Sequence, residues 1–127
     1  MMNKREMKIW GRDFDIELIY DCYAGEEILD TQVAAYDQFM EKAVTLLDSA
    51  LLAVKQYCVR VNRAEITEDT ITNIFKYVKP KSLFIKRTTD GERKVALLCS
   101  YKFNPDDGMA IVFKNESLLE IGTGNIV

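Results

Sequence analysis

The sequence predicts an α+β domain in which an N-terminal β-hairpin and a C-terminal four-strand antiparallel meander form a sheet packed on one long and one short helix. Three observations lead there. Apolar and polar residues alternate near the N-terminus, a seven-residue apolar repeat occupies the middle of the chain, and short β-branched runs separated by turn residues fill its last third.

In the first segment Met7 and Ile9, then Phe14, Ile16, Leu18 and Tyr20, alternate with Lys8, Asp15, Glu17 and Asp21 across a Gly11-Arg12-Asp13 turn. This is the period of a half-buried hairpin. After Gly25 the period changes. Val33, Met40, Leu47, Val54 and Val61 recur every seven positions beside a second row of Val44, Leu51 and Cys58. One amphipathic helix is expected from a cap at Asp30 or Thr31 to about Val61. At 1.5 Å per residue it would run about 47 Å, longer than the roughly 36 Å diameter of a compact domain of this mass, so a bend, a protruding end or a covering partner is required.

A second, shorter helix is expected from a cap at Thr67 through Ile71, Ile74, Phe75 and Val78, stopped by Pro80. Strands are then expected at Leu83 to Lys86, Val95 to Phe103, Met109 to Phe113 and Leu118 to Ile121. Asp90-Gly91, the Asn104 to Gly108 segment and Asn115-Glu116 supply the turns between them. Composition is even, without a linker or repeat, and residues 1–127 read as a single domain.

The segments Ile9-Trp10-Gly11 to Tyr20-Asp21-Cys22-Tyr23, Asn73 to Lys81, Tyr101 to Asp106 with Gly108 to Phe113, and the closing Ile121-Gly122 resemble a family of small uncharacterised bacterial domains of unknown function. The resemblance covers nearly the whole chain. It implies a bacterial cytoplasmic protein and brings no assigned catalytic residue with it. By analogy with small families that act as immunity proteins, it points to a domain that works by binding another protein.

Composition narrows the chemistry. The 127 residues contain no histidine, which excludes Ser-His-Asp and Cys-His nucleophile pairs, an imidazole base and mixed Cys/His zinc sites. Cys22, Cys58 and Cys99 show no CxxC spacing and read as reduced, buried, structural thiols of a cytoplasmic protein. The opening MMNKREMKIW has no apolar core of the kind a secretory signal carries, and no uncharged stretch, Ser49 to Val54 included, approaches the roughly 20 residues that span a bilayer. No export signal and no membrane partner are expected. Neither a cofactor nor a metal is implied: Asn104-Pro105-Asp106-Asp107-Gly108 is the composition of a tight turn and lacks the spacing of a cation loop, and Gly122 to Asn125 reads as a terminal loop.

Charge is the sharpest signal. The net charge is -3, yet eight acids face Arg12 alone between Arg12 and Asp37, while eleven bases face five acids between Lys55 and Lys102. On one reading these are solvated faces that attract each other within the fold. On the other, an acidic face of Asp13, Asp15, Glu17, Glu26 and Glu27 steers a basic protein partner. Lys76, Lys79, Lys81, Lys86 and Arg87 with Phe75, Tyr77 and Phe84 form a basic aromatic run, but the negative total and the lack of an RNP-like or helix-turn-helix pattern make nucleic acid an unexpected partner.

A non-catalytic protein-interaction module, immunity-like or regulatory, is therefore the expectation. The alternative is a small-molecule-binding domain or a carboxylate-dependent enzyme, for which Asp13 with Asp15, Glu26 with Glu27, and a concave site near Tyr20, Tyr23 and Tyr36 are the candidates. Trp10 is expected as a lid on the core, with an interface anchor as the alternative. A homo-dimer through the helix around Met40 to Val61 is compatible with either reading.

Overall fold

The computed structural model describes residues 3–127. Met1 and Met2, which belong to the N-terminal segment read above for an export signal, lie outside the described residues.

β1 (Lys4–Ile9) and β2 (Arg12–Tyr20) form the expected hairpin, with Ile9 opposite Arg12. That register corrects the expected Gly11-Arg12-Asp13 turn to a two-residue turn, Trp10-Gly11, with φ of 50° and 85°, and places Arg12 and Asp13 in β2. Positive φ at both central residues gives a turn whose twist matches that of the strands. Tryptophan is an uncommon occupant of the left-handed region. It is held there by a bond from its Nε1 to the Leu47 carbonyl at 2.8 Å and by packing on Phe75 at 6.0 Å between ring centroids.

The single long helix is corrected to two. α1 (Asp30–Glu41) and α2 (Ala43–Val61) are interrupted at Lys42, whose φ of -119° and ψ of 13° leave the helical region. The buried positions keep a 3.6-residue phase across the break: Gln32, Ala35 and Phe39, then Ala43, Leu47, Ala50, Val54 and Cys58. A strict seven-residue row drifts by about 20° per heptad against such a helix, so its ends rotate off the core. Val33 and Val61 are accordingly exposed. The length conflict is resolved by a bend. α1 lies over β3 and β4, and α2 touches β1 and β6.

The second helix is also a correction. Residues 67–73 form irregular backbone with bends, followed by one 3-10 turn at Ile74–Lys76 that the Asn73 side chain caps by accepting from the Phe75 amide at 3.1 Å. Asp69-Thr70-Ile71-Thr72-Asn73 combines three β-branched residues with two that compete for the backbone, which weakens helix formation. Ile71 and Ile74 still reach the core. Pro80 stops no helix; it sits inside β3 (Val78–Ile85). A proline is tolerated there because pairing with β2 begins only at Ser82 and a register shift lies between Pro80 and Ser82.

β4 (Lys94–Tyr101), β5 (Met109–Lys114) and β6 (Ser117–Gly122) complete the expected meander with β3. The α+β class holds: six strands in the order β1-β2-β3-β4-β5-β6 carry the two helices on one face. Every neighbouring pair is antiparallel except β2 with β3. The exception follows from connectivity, because the helical segment returns the chain to lie parallel beside β2. Two left-handed residues close the β5–β6 turn, Asn115 and Glu116, the latter clamped by Arg93 at 2.9 and 3.0 Å.

The main core joins Ile9, Ile16, Phe39, Leu47, Val54, Leu83, Leu97, Ile111 and Phe113. On the other face Ala96, Ala110 and Val112 are covered by Phe84, Leu98 and the C-terminal Val127. The segment read as a terminal loop ends in a 3-10 turn, Gly124–Ile126, tied by the Gly124 amide to the Asp107 carbonyl at 3.0 Å. Among the described residues no helix is long and apolar enough to cross a membrane.

Candidate functional site

The hairpin's alternation decides where the first three acids point. Met7, Ile9, Ile16 and Leu18 face the helices, so Lys4, Glu6 and Lys8 of β1 and Asp13, Asp15 and Glu17 of β2 share the outer face. The register makes three cross-strand pairs: Lys4 with Glu17, Glu6 with Asp15, and Lys8 with Asp13. Lys8 and Asp13 approach to 4.0 Å. Glu6 and Asp15 are like charges directly opposite each other, and among the described residues neither has a cationic nitrogen within 4.0 Å.

Glu26 and Glu27 lie elsewhere, between the end of β2 and α1. The Glu26 carboxylate accepts from the Tyr23 amide at 2.7 Å and meets Arg87 at 3.5 Å; the Glu27 carbonyl accepts from Arg87 at 2.9 Å. Asp21 accepts from the Arg87 amide at 3.0 Å and faces Lys86 at 3.9 Å. At this corner the intramolecular reading of the charge pattern holds, since acids of the first third bind bases of the last third. The five acids therefore divide into a strand-borne row of three and a loop-borne pair whose Glu26 is engaged.

Beneath the corner Gln32 is a buried polar side chain. Its amide donates to the Asp21 carbonyl at 3.1 Å and the Ile85 carbonyl at 3.2 Å, while its oxygen accepts from the Leu29 amide at 2.9 Å. One residue thus joins the ends of β2 and β3 to the start of α1. Cys22, with its Sγ 3.4 Å from the Arg87 guanidinium, is part of the same structural corner.

The other cysteines are buried in the core. Burial pushes the Cys58 thiol up to about 11 and raises that of Cys99 further. Tyr101, which donates to Asn62 Oδ1 at 2.6 Å, is raised chiefly by burial and then by Cys58. These protonated groups are ill suited to act as nucleophiles or bases.

Of the tyrosines named as a candidate concave site, Tyr36 accepts from Arg5 Nε at 3.1 Å and raises the neighbouring Tyr20, whose main perturbation is burial; Tyr23 points into solvent. The structure does not join the three. The basic run is likewise split. Lys86 and Arg87 belong to the ion-paired corner, whereas Lys76 and Lys79, with Lys102, line a depression of about 310 Å³ beside Tyr77. Tyr77 stacks on Phe103 at 5.7 Å. Asn104 to Gly108 is a turn, in which the Asn104 carbonyl accepts from the Gly108 amide at 2.8 Å. Among the described residues no three Cys, Asp or Glu side chains converge as metal ligands would.

A concavity of about 450 Å³ runs between α2 and β6, lined by Ala53, Tyr57 and Arg60 on one side and Leu118, Leu119 and Glu120 on the other. Neither it nor the lysine depression includes any of the five acids. Sequence reasoning passed over this groove. Its signal was the leucine pair at the start of a strand that turned out to be the sheet's edge.

A family model described as Domain of unknown function (DUF6985) matches residues 2–127. The chain belongs to this family. The match spans the hairpin, both helices and the meander, so the acidic row and the α2–β6 groove both lie inside the family's domain. No curated protein and no solved structure matches the chain.

Proposed function

We propose that this domain is a non-catalytic protein-interaction module, of an immunity-like or regulatory kind, that meets a basic partner through the outer face of β1 and β2. The observation that carries this reading is the opposed pair Glu6 and Asp15 on an exposed sheet face, which among the described residues has no cationic nitrogen within 4.0 Å. Like charges directly opposite in a ladder oppose folding on a scale of about 0.2–1 kcal/mol. A partner's lysine or arginine placed between them removes that cost and adds attraction, so free energy lost in the isolated domain returns on binding. Asp13 and Glu17 extend the row and guide a cationic surface toward it, as complementary charge raises encounter rates. Glu26 and Glu27 contribute at longer range, since Glu26 is held by Arg87.

Capture of the tagged domain's partner from its host's lysate, with nuclease added, tests this. The unmodified domain is expected to retain a stoichiometric protein that is released as salt rises. Asp15→Lys combined with Glu17→Gln, which sets a cation opposite Glu6 and leaves no like charges opposed, is expected to lose it while melting at a temperature no lower. Retention of the same protein by the double variant, or recovery of the bait alone, contradicts the reading.

A further inference from the structure

The sheet has two edges of opposite character. β1 carries Lys4, Arg5, Glu6 and Lys8 within its six residues, a density of charge that discourages addition of another strand. β6 has one charge, Glu120, which pairs with Val112 of the outer cluster, and it exposes Leu118 by 39% and Leu119 by 50%. An edge strand leaves alternate main-chain N–H and C=O groups without ladder partners. Directly beside this edge lies the groove of about 450 Å³ against Ala53, Tyr57 and Arg60 of α2.

We propose that the free edge of β6 accepts a short extended segment of a protein partner as a seventh strand, with apolar side chains in the α2 groove and a carboxylate on Arg60. Only another main chain satisfies a row of edge donors and acceptors, and the neighbouring pockets set which side chains follow. Leu118, Leu119 and Tyr57 call for apolar residues. Arg60 calls for an acid: its guanidinium lies 5.5 Å from the Tyr57 ring centre and, among the described residues, pairs with no carboxylate.

A second copy of the chain fits less well. Two β6 strands related by a two-fold axis in one antiparallel sheet must pair about a residue, and the two central positions are Leu119 and Glu120. Leu119 is the extra residue of a bulge, unmatched on β5, and Glu120 would face its own carboxylate. The bulge also shortens the straight part of the edge, which suits a short segment.

Selection of a display library of short random peptides on the full chain, followed by hydrogen exchange with a selected peptide, tests the proposal. Enriched peptides are expected to alternate apolar residues, to carry Asp or Glu, and to slow exchange of β6 amides. Arg60→Gln, which removes the charge without placing an acid at the C-terminal end of α2, is expected to weaken them about tenfold or more while lowering the melting temperature only slightly through the lost Tyr57 and helix-end contacts. Ala53→Arg, which fills the groove, gives a second variant with the same expected loss. The proposal is overturned if nothing enriches, if bound peptide protects other segments, or if raising the protein concentration alone protects β6, which would make a second copy the occupant. This edge lies across the sheet from the acidic row, so its failure leaves the β1–β2 reading standing.

Discussion

Gln32 shows how much a single residue positions. Its amide bridges a carbonyl at the end of β2, another at the end of β3, and the first turn of α1, all within a buried site. Gln32→Leu keeps the volume but leaves the Asp21 carbonyl and Leu29 amide without these partners. The loss expected is about 2 kcal/mol, the scale of buried polar groups deprived of a hydrogen bond, read as a lower denaturation midpoint at unchanged slope. The sequence pattern concealed this residue, because glutamine in a helix ordinarily faces water. At the same scale, the acids were legible as a cluster but their commitments were not. Arg87, which engages Glu26 and Glu27, stands sixty residues beyond Glu27, and nothing in local spacing pairs them.

Elements were legible where their cause is local. The hairpin and the last three strands of the meander follow from alternation and turn residues and appear close to their expected bounds, whereas β3 begins at Val78, five residues before its expected start. The missing second helix also has a local cause, the β-branched residues of 69–73, but the other departures do not. The break at Lys42 has no marker in the local sequence, and the parallel β2–β3 pairing joins strands separated by both helices. The β4–β5 connection offers an element-scale test. A Cβ at Gly108, where φ is 64°, would stand 2.4 Å from the Cys99 carbonyl oxygen, whereas one at Gly91, at φ 80°, meets nothing within 4 Å. Gly108→Ala is therefore expected to cost about 2 kcal/mol or more through clash and strain together. Gly91→Ala is expected to cost about 1 kcal/mol from strain alone. Equal melting temperatures for the two would show that the close approach is relieved by movement of the turn.

For the whole molecule, stability and binding both turn on charge. The Cys58 thiol is raised from 9.0 to about 11 by burial, and Cys99 and Tyr101 are raised as well. Between those values the unfolded chain releases a proton that the folded chain keeps, so the unfolded state binds fewer protons and stability falls as pH rises. Denaturation midpoints are expected to be lower at pH 11 than at pH 9, and Cys58→Ala is expected to flatten the first part of that decline. A midpoint constant across that range would mean that the thiol ionises equally in both states. Toward a partner, the ion-paired corner of Asp21, Glu26, Lys86 and Arg87 is self-neutralising, whereas Glu6, Asp15 and Glu17 on the opposite stretch of the hairpin are not all balanced.

Zero-length carbodiimide cross-linking of the captured complex, mapped by mass spectrometry, tests the acidic face most directly, because it joins only carboxylates already touching amines. Links from Glu6, Asp15 or Glu17 to lysines of the partner are the expected result. Links confined to carboxylates away from the outer face of β1 and β2, such as Asp69 or Glu120, would contradict it.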